Sequence, residues 1–101
     1  MIYYVAHTDF GKAQKITHDL QISDLENCYI CPLLVFSELK SGEICKNDAE
    51  QLRLDVLSFS DRLIIPEDVD REKLIEYRFA KDVGMEVVRL DENGGIRPAE
   101  V

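Results

Sequence analysis

The chain has 101 residues, which suits one domain and leaves no room for two. Hydrophobic residues make up 46% and charged residues 32%, the composition of a folded domain rather than of a disordered segment. Twenty acidic against 12 basic residues give a net charge of −8, a field that repels a nucleic-acid backbone but leaves a small nucleoside or nucleotide-like ligand open.

Residues 2–6 (IYYVA) form a continuous apolar, β-branched and aromatic run, the pattern of a strand covered on both faces. The polar turn His7-Thr8-Asp9-Phe10-Gly11 ends it. Over residues 12–20, apolar positions at Ala13, Ile16 and Leu20 recur at three and four, which predicts a short helix. Turn residues at 23–27 lead to a second strand over residues 28–31, stopped by Pro32. The run over residues 33–39 is open between helix and strand, and Ser41-Gly42 marks a break. Asn47 or Asp48 offers a cap for a helix reaching about residue 59, with Leu52, Val56 and Phe59 as its expected buried face.

Asp61-Arg62-Leu63-Ile64-Ile65-Pro66 reads as the third strand. Asp70 is placed to cap the helix that follows. Its expected stripe is Leu74, Tyr77 and the stem of Arg78 or Lys81, flanked by Ile75, Phe79 and Val83. Gly84 ends that helix. Residues 85–90 (MEVVRL) make the last strand, and residues 91–101 a tail.

Strands alternating with helices predict an α/β fold: a three-layer αβα sandwich, Rossmann- or flavodoxin-like, with a short parallel sheet of about four strands spanning residues 1–90. Ligands bind beyond the carboxyl ends of such strands, where the strand order reverses. The loops meeting that description are residues 7–11, 32–39 and 66–70.

The dinucleotide glycine pattern, the P-loop and the hydrolase nucleophile elbow are all missing from the sequence, so no cofactor is expected. Cys28 and Cys31 form a CxxC in a strand-like stretch rather than at a helix start, with no second pair, and no metal site is expected. With Cys45 they read as buried, reduced thiols. No apolar run approaches the roughly 20 residues of a membrane span, and the amino terminus lacks a leader pattern. A cytoplasmic protein without a membrane partner is the expectation. Glu67, Asp68, Asp70, Glu72 and Glu76 gather after the third strand. By composition they suit a solvated helix start, with Glu72 and Glu76 on one face. His7, at a strand's carboxyl end, reads equally as a ligand contact or as a structural histidine, and His18 as exposed.

The stretch LSFSDRLIIPEDVDREKLIEYRFAKDVGMEVV resembles the core of the nucleoside 2-deoxyribosyltransferase superfamily, including its small bacterial and phage branch. The matching features are Asp61 opening the strand RLII, Glu76 within the following helix, then Ala80 and Gly84 before the last strand. IYYVAHTDFG is similar to the family's first strand and loop, and CYICP to its second strand and proline. The resemblance implies that Glu76 is a nucleophile attacking C1′ of a sugar as in a retaining glycosidase. It implies that Asp70 contacts the substrate, that Tyr4 lies near a recurrent tyrosine, and that Asp55 lies about one residue from a further aspartate. His7, Thr8, Asp9 and Pro32 belong to the loops that would line the pocket.

Departures from the family pattern accompany the match. The stretch 70–75 before Glu76 holds no glycine, and Asp70 and Glu72 stand where nucleotide N-glycosidases carry a phosphate-binding serine and glycine. Carboxylates there oppose a 5′-phosphate. The expected function is N-glycosidic bond cleavage or 2-deoxyribosyl transfer. The alternative is a non-catalytic binder of a nucleotide-like ligand or signal molecule. A homodimer or larger homo-oligomer is expected, both from poorly covered sheet edges and from the family's habit of completing pockets with neighbouring subunits, with the tail as a candidate arm.

Overall fold

The computed structural model describes residues 1–33, 46–91 and 94–98. The readings made for residues 34–45, Cys45 and the Ser41-Gly42 break among them, and for residues 92–93 and 99–101, lie outside the described residues.

The sheet has the order β2-β1-β3-β4-β5. Strands β1 (Ile2–Val5), β2 (Cys28–Ile30), β3 (Arg62–Pro66) and β4 (Glu86–Leu90) are parallel, as the sequence predicts. The expected tail instead carries β5 (Ile96–Pro98), which folds back antiparallel on β4 with Leu90 opposite Ile96. A turn with Gly94 at φ 82° makes that reversal, a backbone region glycine enters without a Cβ clash.

Alternation along β1 sends successive side chains to opposite faces. Tyr3 and Val5 join Ala13 and Leu20 of α1 (Phe10–Ser23), with Ile64 and Val88, in one apolar layer. Tyr4 and Ala6 join the other layer, with Leu57 of α2 (Lys46–Ser58) and Tyr77 and Ala80 of α3 (Ile75–Val83). Helices therefore cover both faces, and the three-layer expectation holds. Asp61 ties the amino ends of two strands together: its carboxylate accepts from Ile2 N at 2.6 Å, and its own N–H donates to Ile2 O at 2.8 Å.

Two helix faces differ from the expected ones. On α2 the fully buried residue is Leu57, with Leu54 and Val56 packed beside it, while Leu52 is exposed and Phe59 is 82% exposed. The helix already starts at Lys46, so Asn47 and Asp48 sit in its first turn rather than at its cap. After β3, Asp70 caps only a 3-10 turn (Arg71–Lys73), where its side chain accepts from Glu72 N at 3.1 Å. Leu74 then takes an extended conformation, and α3 starts afresh. The break rotates Glu76 away from Glu72. Glu72 is exposed, whereas Glu76 and Ala80 share the inner face with Tyr77. Arg78, Lys81 and Val83 point outward instead of completing the stripe. Gly84 ends α3 at φ 74°, as expected. Cys31 is buried but Cys28 is exposed, which corrects the buried-thiol expectation for Cys28.

Candidate functional site

The chain runs from β1 outward to β2, then returns past β1 to β3 and β4, so the order reverses between β1 and β3. The loops leaving those two strands flank the position where open α/β sheets place ligands. Two constellations arise near it, one on each face.

On the α2/α3 face, Glu76 is 5% exposed. The Tyr4 hydroxyl donates to its Oε2 at 2.9 Å, and Arg53 Nε lies 4.0 Å from the same oxygen. Among the described residues no hydrogen bond reaches Oε1. The phenol supplies the hydrogen bond a buried carboxylate needs, while the guanidinium gives only a charge contact, its buried Nε making no hydrogen bond. Burial, followed by the charge of Glu76 and the hydrogen bond to it, holds the Tyr4 phenol far above its ordinary pKa. Tyr4 is therefore a hydroxyl donor throughout the accessible pH range. The solvated reading of the acidic run fails for Glu76, the one member drawn inside, and holds for Glu67, Asp68, Asp70 and Glu72, which are exposed.

On the α1 face, His7 follows β1 and is buried. Its Nδ1 accepts from Thr8 N and Asp9 N, both at 2.9 Å. An imidazole nitrogen that accepts carries no proton, so the neutral ring bears its hydrogen on Nε2. Nε2 lies 3.6 Å from Asp68 Oδ1 and makes no hydrogen bond. Lys12 Nζ donates to the other oxygen of Asp68 at 3.2 Å. Burial pushes the Asp68 carboxyl up, but the hydrogen bond from Lys12, the neighbouring His7 and the charge of Lys12 together outweigh it and hold the group below the ordinary carboxylate range. Asp68 also borders a cleft of about 960 Å³ between α1 and the carboxyl ends of β3 and β4, floored by Ile16, Leu20, Pro66 and Leu90.

The structure brings Tyr4 and Glu76 together and places His7 at the switch point. Thr8 and Asp9 are exposed beside it, with Asp9 capping α1 through a 3.0 Å bond from Lys12 N. Pro32 is buried just past β2. Asp55 is exposed on α2 and held by Gln51 at 2.9 Å, apart from Glu76. Asp70 is exposed, with one oxygen engaged in the 3-10 cap. Arg53 and Lys12 were not singled out from the sequence, and Asp68 only as one member of the acidic run. Asp68 lies in a loop already marked as a ligand-facing connection, but an arginine amid the polar positions of α2 gives no signal of its own. Among the described residues no cluster of three or more metal-binding side chains occurs, and no helix is long and apolar enough to cross a membrane. Comparison with family models, with curated proteins and with solved structures finds no match to this chain.

Proposed function

We propose that this chain cleaves the N-glycosidic bond of a nucleoside, or transfers its 2-deoxyribosyl group, with Glu76 as nucleophile. The supporting observation is the asymmetric holding of its carboxylate. The Tyr4 hydroxyl bonds Oε2 and Arg53 lies 4.0 Å from it, which orients the group and leaves Oε1 to attack. In the first step an Oε1–C1′ bond forms while the C1′–N bond breaks, and the base leaves with the bonding pair and takes up a proton. Water or a second base then attacks C1′ and releases the carboxylate. Asp70 retains one oxygen beyond its cap to hold a sugar hydroxyl.

Base release from the four common deoxynucleosides, followed by chromatography, tests the reading. The wild-type chain is expected to release base, and Glu76→Gln to abolish release. Intact deoxynucleosides after prolonged incubation with the wild type rule the reading out.

One observation favours a second reading, a non-catalytic binder of a nucleotide-like ligand. The cleft at the strand ends opens on the α1 face, and Glu76 is not among its lining residues. Stabilisation by such a ligand without turnover is the outcome that selects it, because a ligand that binds only the native state raises the melting temperature.

A further inference from the structure

The two faces of the sheet are covered unequally. On one, α2 and α3 pack beside each other over the layer that contains Tyr4, Leu63 and Val87. On the other, α1 is the only helix among the described residues. It sits toward the β2 margin, where Gln21 accepts from Tyr29 N at 2.9 Å and donates to Asn27 O at 2.8 Å. Beside α1 runs the cleft of about 960 Å³ along the carboxyl ends of β3 and β4. A helix about 10 Å across occupies roughly 850 Å³ in two turns, so the cleft has the size of a short second helix on this face.

Floor and walls differ in chemistry. Ile16, Leu20, Pro66 and Leu90 make the floor apolar. Ile96 stands opposite Leu90 in the β4–β5 register, so it points to the same face, and it is 41% exposed. The walls are acidic. Asp19 rises from α1, and Glu67, Asp68 and Asp91 from the strand ends, with Lys15 the only cation among the described lining residues. Lys12 offsets the charge of Asp68 from outside that lining, and the walls remain net negative.

An apolar floor between acidic walls suits an amphipathic helix lying in the cleft with its apolar stripe down. Lysines or arginines flanking the stripe rest their stems on the rim and carry their charges to the carboxylates. A nucleic acid or a phospholipid surface would set phosphates against those carboxylates. A second copy of the chain would bring its own net charge of −8 to them.

We propose that the α1-face cleft docks a cationic amphipathic helix of a partner protein, seated on Ile16, Leu20, Pro66 and Leu90 between Asp19 and Glu67. The docking surface lies on the face opposite Glu76 and is independent of its chemistry. It gives the cleft a different occupant from the nucleotide-like ligand of the second functional reading.

The test is titration of the nitrogen-labelled full chain with a capped synthetic peptide of about 14 residues, leucine and lysine only, its leucines at helical three-four spacing. Amide NMR is expected to show saturable one-to-one binding, with shifts centred on Ile16, Leu20, Glu67 and Leu90, and circular dichroism a gain of helix. A peptide of the same composition with its leucines scattered around the helix is expected to bind about tenfold or more weakly. Asp19→Lys with Glu67→Lys is expected to weaken binding of the first peptide by about tenfold or more, through like charges at the rim. Asp48→Lys with Asp82→Lys makes the same change in net charge on the other helices and is expected to leave binding within about twofold. Glu76→Gln is expected to bind as the wild type does, so loss of base release and loss of docking are separate results. Equal binding of both peptides, shifts spread over the α2 and α3 face, or no saturation in the wild type overturns the proposal without recourse to the variants. Equal weakening by the two double variants overturns it as well, since net charge alone would then explain the attraction. Concentration-dependent shifts at the cleft in the chain by itself would assign the surface to a second copy and defeat the proposal.

Discussion

The hydroxyl of Tyr4 and the carboxylate of Glu76, 72 residues apart in sequence, meet at 2.9 Å inside the layer between the sheet and helices α2 and α3. Tyr4→Phe removes that donor and leaves the buried Oε2 with Arg53 alone. The expected loss of stability is about 1–3 kcal/mol, the cost of a buried acceptor deprived of its partner. A shift in urea midpoint with unchanged slope measures it.

The same phenol governs behaviour in alkali. In the unfolded chain a tyrosine loses its proton near the ordinary value of about 10. In the folded state burial and Glu76 keep the Tyr4 proton in place well above that. Unfolding above this pH therefore releases a proton, so stability is intact below about pH 10 and falls as pH rises beyond it. One such group contributes a slope of up to about 1.4 kcal/mol per pH unit. Tyr4→Phe is expected to flatten the decline in urea midpoint across that window. Tyr29, whose phenol is also raised by burial and then by its hydrogen bond to Asp24, keeps a slope of the same sign in the variant.

Lys12 donates to Asp68 from the first turn of α1 and helps to hold its carboxyl low. Lys12→Met is expected to move the Asp68 titration upward, toward or past the ordinary carboxylate value, as read by carboxyl carbon NMR. The stability linked to Asp68 is present above the unfolded carboxylate pKa and is lost as pH falls through the lower folded value. The substitution therefore shrinks the acid-side loss. An unmoved titration would show that Lys12 and Asp68 do not pair in solution.

The orientation of α2 is open to a direct comparison. Leu57 is fully buried and Phe59 largely exposed. Leu57→Ala is expected to cost about 2–5 kcal/mol, and Phe59→Ala to change stability by no more than about 0.5 kcal/mol. Reversal of that order in chemical denaturation would mean that the helix presents its other stripe to the sheet.

Four parallel strands and their flanking helices were legible because IYYVA, CYI, RLIIP and EVVRL are apolar runs separated by turn chemistry. On α2 the apolar residues are dense enough to satisfy two stripes. Leu52, Val56 and Phe59 keep helical spacing as well as Leu54 and Leu57 do, and only the position of the sheet decides between them. Around Glu76 local rules point the wrong way. Glutamate in a first helical turn ordinarily faces water, and the turn of the chain at Leu74 that rotates it inward has no sequence period. The family resemblance drew attention to Glu76, whereas its burial depends on a tyrosine from the far side of the chain. Strand β5 escaped notice because three residues ending in proline carry no alternation, and their pairing is fixed by β4.

That last strand limits how the sheet can grow. By folding back on β4, Ile96–Pro98 makes the described margins of the sheet a pair of three-residue strands, the other being Cys28–Ile30. So short a row of free backbone groups is a weak template for an incoming chain, and proline at one end withholds a donor. Fibril-like stacking through strand addition is thereby discouraged at both rims. An arm reaching from this region to a neighbour would first have to peel away from its own molecule.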